Sequence, residues 1–92
     1  PFTAWGVFRG IEASAKTLYG EACLEGKIVA VQGLGSVGSV LCEYLFWAGA
    51  DLIVADIDGA KAERVARRFG ARVVSVDQIL KVDCDIFAPC AM

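Results

Sequence analysis

The 92-residue sequence predicts an α/β fold with a parallel β-sheet. Two apolar runs, at residues 28–31 and 52–55, show no alternation of polar and apolar side chains, which is typical of parallel strands covered on both faces. Helical segments of roughly ten residues lie between the predicted strands, as in right-handed βαβ units. We therefore predict half of a doubly wound, Rossmann-like sheet with the strand order 3-2-1-4 and a leading N-terminal helix.

The composition excludes several classes of protein. Apolar residues make up 57% of the chain, well above the ~45–50% of an average globular protein, so the chain is not intrinsically disordered. No apolar run reaches the ~18 residues of a membrane span, and a net charge of −2 with dispersed basic residues argues against a nucleic-acid surface. The absence of histidine excludes a Ser-His-Asp triad and histidine–metal ligation within this sequence. We expect no metal site, no nucleic-acid partner and no membrane association.

The four cysteines, Cys23, Cys42, Cys84 and Cys90, form no C-x-x-C pair. We predict buried free thiols, because the cytosol keeps cysteines reduced, and we expect a cytoplasmic location. A disulfide or metal role is the alternative. Only Cys90 lies in a Pro-Cys-Ala turn that a ligand can touch.

The predicted elements follow one another along the chain. Apolar residues recur every three or four positions from Thr3 to Tyr19, as on the buried face of a helix, and Gly20 is a suitable C-cap. The elements after this helix are a strand at 28–32, a helix from the glycine-rich stretch to about residue 48, a strand at 52–55, a helix at 60–69, a strand at 72–75, a helical turn at 77–80 and a strand at 85–87.

Residues 33–38 form the motif G-x-G-x-x-G, with a predicted strand before it and a predicted helix after it. In this context Gly33 permits a tight turn, Gly35 lets the backbone approach a pyrophosphate, and Gly38 allows close helix–strand packing. Backbone amides at the helix N-terminus favour an anion. The alternative is a glycine-rich loop that only turns a corner. The predicted pyrophosphate-binding residues are Gly33, Leu34, Gly35, Ser36, Val37 and Gly38.

Asp56 ends the second apolar strand, eighteen residues beyond Gly38. A carboxylate at this position accepts hydrogen bonds from a ribose diol and repels a 2′-phosphate. No basic residue directly follows Asp56, and Lys61 is expected to lie too far along the chain to receive a phosphate. The pattern therefore favours NAD over NADP. We take residues 1–92 as one truncated NAD(P)-binding domain, with the leading helix at 1–20 and the β-α-β-α-β-β core at 28–92.

Five segments resemble the amino-acid dehydrogenases of the glutamate/leucine/phenylalanine/valine group, most closely the leucine and phenylalanine branch. They read T-A-W-G-V-F-R-G at 3–10, L-E-G-K at 24–27, V-Q-G-L-G-S-V-G at 31–38, V-A-D at 54–56 and C-D-I-F-A-P-C-A at 84–91. The resemblance covers essentially the whole chain, and its first and last segments are more specific than the glycine motif. Such enzymes use NAD to deaminate an L-amino acid oxidatively, which yields a 2-oxo acid, ammonia and NADH.

The resemblance implies the cofactor contacts residue by residue. It assigns the pyrophosphate to residues 33–38 and the ribose to Asp56, with Ile57 beside it. It places Thr3 near the nicotinamide end, where the alternative is a hydroxyl that only caps the helix. The loop beside the adenosine or nicotinamide ribose is implied to consist of Ala88, Pro89, Cys90 and Ala91. Within that loop, Cys90 is expected to contribute its backbone rather than its thiol.

The family's catalytic lysines and aspartate belong to a separate N-terminal substrate domain, and no segment here matches them. We therefore expect no catalytic residue, a missing substrate domain as a partner, and no turnover by this chain, which looks like a piece of a longer protein. An all-round apolar helix is buried or lies at an interface, so we expect a homo-oligomer formed through the helix carrying Tyr44, Phe46 and Trp47 or through a sheet edge. Ordinary core packing of that helix is the alternative. The alternatives are a non-catalytic nucleotide-sensing module and a self-associating half-fold.

Overall fold

Three helices and four strands follow one another in residues 3–90, the part of the chain that the computed structural model describes. None of these helices is long and apolar enough to cross a membrane. The helices are α1 (Ala4–Tyr19), α2 (Ser36–Trp47) and α3 (Gly59–Phe69). The strands are β1 (Ile28–Gln32), β2 (Asp51–Ala55), β3 (Arg72–Val73) and β4 (Ile86–Pro89).

The strands form one parallel sheet in the order β3-β2-β1-β4, which confirms the predicted order. The last residue of β1, Gln32, pairs with Ala55 of β2 and with Pro89 of β4. The carboxyl ends of these three strands therefore meet at one edge of the sheet, called the carboxyl edge below. Open α/β sheets bind their ligands outside this edge.

The two faces of the sheet are covered differently. On one face, buried residues of β1 and β2 pack against side chains from all three helices. On the other face, Ala30, Ile53 and Ala55 are covered by the segment 74–84, in which the side chain of Ile79 is only 1% exposed. This cover on both sides explains why apolar residues run through β1 and β2 without alternation.

Helix α1 packs against α2. Two aromatic rings of α1 contact Tyr44 of α2, with centroid distances of 5.5 Å from Trp5 and 5.7 Å from Phe8. Tyr44 is half-buried for this reason, so it contributes to the contact between the helices and not to the free apolar surface expected on α2. The buried side chains of α1 share one face, at spacings of three and four positions: Ala4, Phe8, Ile11 and Ala15.

The third strand is shorter than predicted. β3 contains two residues instead of four, although the N–H of Val74 still donates to the carbonyl of Val54 at 3.0 Å. Residues 76–81 form a hydrogen-bonded turn, in which the N–H of Ile79 donates to the carbonyl of Ser75 at 3.0 Å with the spacing of an α-helix, so the single helical turn predicted here is present. Its start is held by reciprocal bonds: the N–H of Ser75 donates to Oε1 of Gln78, and the N–H of Gln78 donates to Oγ of Ser75, both at 3.1 Å. This reciprocal pair is a capping box, an arrangement that starts a helix, and here it supports one helical turn that is not continued.

The cysteines are less uniformly buried than predicted. All four thiols are free; Cys42 and Cys90 are buried, Cys84 is half-buried and Cys23 is exposed. The prediction is wrong for Cys23 because the connection between α1 and β1 directs the neighbouring Leu24 into the core. Burial, together with the nearby Cys90, raises the pKa of Cys42 to about 12. Cys42 is therefore protonated and unreactive at neutral pH.

Candidate nucleotide-binding site

The glycine-rich loop joins β1 to α2 at the carboxyl edge. Gly33 has φ = 94°, a left-handed conformation that side chains other than glycine rarely adopt. Its N–H donates to the carbonyl of Ala55 at 2.9 Å, which ties the start of the loop to the end of β2. The tight turn predicted for Gly33 is thus present in the backbone.

Gly38 lies where α2 passes closest to the loop. A Cβ atom added to Gly38 would collide with the carbonyl oxygen of Gly33 and would lie 3.5 Å from Cβ of Cys90. Only a residue without a side chain fits between the loop and the end of β4. Gly38 therefore fixes how closely the first turn of α2 packs on the sheet.

Gly35 differs from the other two glycines of the motif. Its φ of −70° is open to any residue, and an added Cβ would meet no atom within 4 Å. Neither the backbone conformation nor the packing of residues 3–90 therefore requires glycine here. Gly35 is the N-cap of α2, and no side chain in this part of the chain caps that helix. The amides of Ser36 and Val37 thus begin a helix whose N-terminus is open to an anion.

The Asp56 carboxylate is hydrogen-bonded directly to the loop. Its Oδ2 atom accepts a hydrogen bond from the N–H of Leu34 at 2.6 Å, and its Oδ1 atom accepts one from the N–H of Asp58 at 2.8 Å. Partial burial raises the pKa of Asp56, but the two amide bonds and the positive charge of Lys61 outweigh it, so the pKa lies below its usual value. The carboxylate is ionised at neutral pH and, with about four lone-pair positions, retains acceptor capacity for a further donor.

The positive charge of Lys61 contributes to the lowered pKa of Asp56. Lys61 lies in the first turn of α3, which begins shortly after β2. Asp58 is the N-cap of α3, and its Oδ1 accepts hydrogen bonds from the N–H groups of Ala60 at 3.1 Å and Lys61 at 3.3 Å. This cap starts α3 shortly after the end of β2.

Sequence analysis did not identify Ser39 as part of the loop. Its Oγ donates to the carbonyl of Leu34 at 2.7 Å, one turn into α2. Both backbone groups of Leu34 are therefore bonded, and its side chain is 1% exposed in the core. Leu34 shapes the loop and presents no side chain to a ligand. A hydroxyl in the first helical turn, where it can reach a loop carbonyl, is the sequence signal that would have indicated Ser39.

The end of β4 lies beside the loop. The N–H of Cys90 donates to the carbonyl of Gln32 at 2.7 Å, one residue beyond Pro89, which has no N–H to donate. Ala88 and Cys90 are buried, and burial raises the pKa of the Cys90 thiol. The Cys90 side chain points towards Gly38 and is not presented at the surface. Ala91 lies outside the described residues.

Two other predicted residues are exposed. Thr3 is the N-cap of α1, and its Oγ1 accepts a hydrogen bond from the N–H of Gly6 at 3.1 Å, which is the capping role given above as the alternative. Ile57 follows Asp56 and is 93% exposed, which is unusual for a large apolar side chain. Within residues 3–90, no group of three or more His, Cys, Asp or Glu side chains is arranged to hold a metal ion.

Comparison with known proteins identifies relatives of the chain. No family model matches it. The leucine dehydrogenase of Thermoactinomyces intermedius is 53% identical over 92 residues, which are 100% of this chain and 25% of that protein. The phenylalanine dehydrogenase of the same organism is 45% identical over 91 residues, covering 97% of this chain and 25% of that protein. The chain thus spans about a quarter of the length of the curated relatives it matches.

A solved structure gives the same result. The crystal structure of L-tryptophan dehydrogenase from Nostoc punctiforme matches with a TM-score of 0.93 and 49% identity, covering 96% of this chain and 26% of that chain. The predicted resemblance is therefore confirmed: over its whole length, the chain is similar to one part of the leucine, phenylalanine and tryptophan dehydrogenases.

Proposed function

We propose that this chain is the cofactor-binding part of an NAD-dependent amino-acid dehydrogenase, which converts an L-amino acid to a 2-oxo acid by oxidative deamination. The hydrogen bond between the N–H of Leu34 and the carboxylate of Asp56 carries the proposal. It joins a loop suited to a pyrophosphate to an acceptor suited to a ribose, at the edge of the sheet where such ligands bind. The similarity to three amino-acid dehydrogenases supports the choice of enzyme class.

The pyrophosphate is proposed to lie over Gly35. The open space beside this residue allows two phosphates to approach the backbone, and the absence of a side-chain cap on α2 among residues 3–90 leaves the first-turn amides for them. Ser36 and Val37 would donate these amides, assisted by the positive end of the helix dipole. Gly33, Leu34 and Gly38 act indirectly, by giving the loop its shape.

The adenosine ribose is proposed to bind Asp56. Each carboxylate oxygen holds one backbone donor and can accept a second donor from a ribose hydroxyl. The negative charge repels a 2′-phosphate, which favours NAD over NADP. Ile57, almost fully exposed next to Asp56, offers an apolar surface for the adenine ring.

The remaining contacts are proposed from the resemblance. The resemblance assigns the second ribose to the backbone of Ala88, Cys90 and Ala91; of the Cys90 backbone the carbonyl would serve, because its N–H donates to the carbonyl of Gln32. The hydroxyl of Thr3, which already accepts a hydrogen bond from the N–H of Gly6, would donate its own proton to the nicotinamide end of the cofactor. Four free thiols fit a reducing, cytoplasmic environment.

The chemistry is divided between this chain and a substrate domain proposed as its partner. NAD accepts the hydride when it is bound, and the residues of this chain hold and orient it. Activation of the amino acid requires acid–base groups near the nicotinamide. We assign no catalytic residue to this chain, and the proposed substrate domain would supply these groups.

We infer further that copies of the chain pair through α2. Trp47 is 78% exposed and Phe46 is 40% exposed. The ring of Phe46 contacts Trp47 edge to face, with a centroid distance of 5.6 Å, and contacts Phe69 of α3 in a tilted arrangement at 5.4 Å. These three rings form one apolar surface at the ends of α2 and α3, and covering such a surface favours association.

Calorimetric titration of NAD into the wild-type chain and the variant Gly35→Ala tests the proposed pyrophosphate site. Alanine fits the backbone at this position, but its Cβ fills the space that the phosphates would use. We expect affinity for NAD to fall about tenfold or more while the chain remains folded, with a loss of stability of about 1 kcal/mol or less because alanine is a poorer N-cap than glycine. Gly10→Ala is the matched control, because Gly10 lies on α1 with open space around it. A wild-type chain that binds no NAD at millimolar concentration, or a Gly35→Ala variant that binds it as tightly as the wild type, would overturn the proposal.

A further inference from the structure

A cavity lies at the edge of the sheet where the parallel strands begin, opposite the carboxyl edge. Its volume is about 520 Å³, within the usual range of a pocket that takes a ligand or a side chain. We call it the amino-edge cavity. Its walls include the first residues of three strands, a second residue of β2 and one ring from the end of each of α2 and α3: Ile28, Asp51, Arg72, Ile53, Phe46 and Phe69.

An exposed indole lies directly beside the amino-edge cavity. Trp47 is 78% exposed, and its ring contacts the ring of Phe46, which lines the cavity. The exposed ring and the cavity therefore belong to one patch of surface. In a two-fold dimer the same patch of both copies meets itself, so a ring on that patch needs a cavity on the same patch. Trp47 and the amino-edge cavity meet this requirement.

The charged groups of the amino-edge cavity are complementary to each other. Arg72 pairs with Ile53 in the sheet register, and Asp51 lies two residues before Ile53. Because side chains alternate along a strand, Asp51 and Arg72 lie on the same face of the sheet. Both are exposed, and neither takes part in a salt bridge within residues 3–90. A two-fold axis through this patch brings each charge opposite its counterpart in the other copy.

We propose that the amino-edge cavity of each copy receives Trp47 of a second copy, in a two-fold dimer in which Asp51 of each copy pairs with Arg72 of the other. The inference rests on the pairing of copies through α2 proposed above and assigns the position of each ring. Counting a similar area for the walls of each cavity, two indoles in two cavities bury about 600–1,000 Å². Interfaces below about 1,200 Å² belong to weak complexes, so we expect a Kd in the micromolar range.

The proposed dimer leaves the candidate nucleotide-binding site accessible. The amino-edge cavity is formed where β1, β2 and β3 begin, whereas Asp56 and the glycine-rich loop follow the ends of β2 and β1. The two sites therefore lie at opposite edges of the sheet, and each copy of the dimer keeps its own carboxyl edge open. Dimer formation and NAD binding can be measured independently.

The first experiment measures the burial of Trp47. The variant Trp5→Phe leaves Trp47 as the single tryptophan of the chain. As the protein concentration rises through the Kd, the emission of Trp47 should shift to shorter wavelengths and its quenching by acrylamide should fall. A dimer in which acrylamide quenches Trp47 as strongly as in the monomer overturns the inference, even though the copies pair.

The second experiment removes the ring. Trp47→Ala should raise the Kd about hundredfold or more, because each dimer loses two central aromatic side chains. Leu18→Ala is the matched control, since Leu18 is an exposed apolar residue on α1 that does not line the cavity. Light scattering over a concentration series gives each Kd, and circular dichroism confirms that each variant is folded. A Trp47→Ala variant that dimerises like the wild type overturns the inference.

The third experiment reverses the charges. Asp51→Arg and Arg72→Asp each place like charges opposite one another, so each variant alone should dimerise about tenfold more weakly than the wild type. An equal mixture of the two variants should associate like the wild type, because every pair across the axis is then arginine with aspartate. An ion pair within one copy cannot be restored by mixing. The matched controls, Asp77→Arg and Arg67→Asp, change exposed charges outside the cavity and should dimerise equally well alone and mixed.

A mixture of Asp51→Arg and Arg72→Asp that associates no better than its components overturns the inference, as does a wild-type chain that is monomeric at high micromolar concentration. All masses are measured without nucleotide, so they do not depend on the proposed nucleotide site. NAD titration of the wild type and of Trp47→Ala should give the same affinity. A chain that binds no NAD but dimerises as described contradicts the proposed cofactor function and supports this interface.

Discussion

The carboxylate of Asp56 accepts a hydrogen bond from the backbone N–H of Leu34 at 2.6 Å, so the residue that follows β2 holds the loop that follows β1. The loop is therefore organised before any ligand binds. Its second half is fixed separately, because Gly38 permits α2 to pack against the carbonyl of Gly33. A site prepared in this way loses less conformational entropy on binding than a mobile loop would.

Replacement of Asp56 by Ala should weaken the binding of NAD more than that of NADP. The substitution removes a charged acceptor for the ribose hydroxyls. A hydrogen bond to a charged group contributes about 1.5–3 kcal/mol, so its loss should lower the affinity for NAD roughly tenfold to hundredfold. For NADP it also removes a repulsive charge, which offsets part of the loss. Calorimetry with both nucleotides measures the two losses, and equal losses would contradict the role proposed for Asp56.

The fold was predictable because its signals are local. Unbroken apolar runs identified β1 and β2, and a glycine motif between a strand and a helix identified the loop. The bond from Leu34 to Asp56 was not predictable, because it depends on how two loops meet at the carboxyl edge. The same is true of Tyr44, whose partial burial follows from the packing of Trp5 and Phe8 across a helix pair. The sequence predicted the residues of the candidate site, and tertiary contacts determine which hydrogen bonds each of them makes.

The stability of the chain should depend on the ionisation of Asp56. The pKa of Asp56 is lower in the folded state than in the unfolded state, where it is about 3.9. The ionised carboxylate therefore stabilises the fold above the unfolded pKa, and this stabilisation is lost as the pH falls through the folded pKa. Chemical unfolding of wild type and Asp56→Asn should therefore show a larger free-energy difference at pH 6 than near pH 2.5. Asp77→Asn, which changes an exposed carboxylate in the turn, is the control. A difference for Asp56→Asn that is the same at both pH values would show that the bonds to Leu34 and Asp58 do not favour the charged form.

Gly38→Ala should destabilise the fold. The new methyl group would overlap the carbonyl of Gly33, so α2 or the loop must move, at a cost of about 1–3 kcal/mol. Gly10→Ala, also within a helix but with open space around it, should stabilise α1 by about 0.5–1 kcal/mol. Urea unfolding of both variants measures the contrast. A Gly38→Ala variant as stable as the wild type would mean that the contact between α2 and the loop is not close.

The purified chain should not form NADH from NAD and an L-amino acid. We have assigned it the binding of NAD but no group that activates the amino acid, and it spans about a quarter of the length of its relatives. Absorbance of NADH is measured with L-leucine, L-phenylalanine and L-tryptophan as separate substrates. Turnover that depends on any of these amino acids would show that catalytic groups lie within this chain.

The chain should form a dimer or a larger assembly in solution. Trp47 and Phe46 expose aromatic rings next to Phe69, and β4 is an edge strand whose outer backbone groups have no strand beside them among residues 3–90. Symmetric dimers are the commonest way to cover such a surface. Light scattering should therefore give a mass above the 9.8 kDa of one chain.

The double variant Phe46→Glu/Trp47→Glu tests whether the aromatic surface forms the contact, rather than the edge of β4 or α1. Placing two carboxylates on the aromatic surface makes its burial unfavourable, so we expect this variant to be monomeric. Leu18→Glu is the matched control, because Leu18 is an exposed apolar residue of α1, 63% exposed, away from that surface. A wild-type chain that scatters as a monomer at high micromolar concentration would contradict self-association. A double variant that remains a dimer would instead assign the contact to the edge of β4 or to α1, because the aromatic surface would then be dispensable.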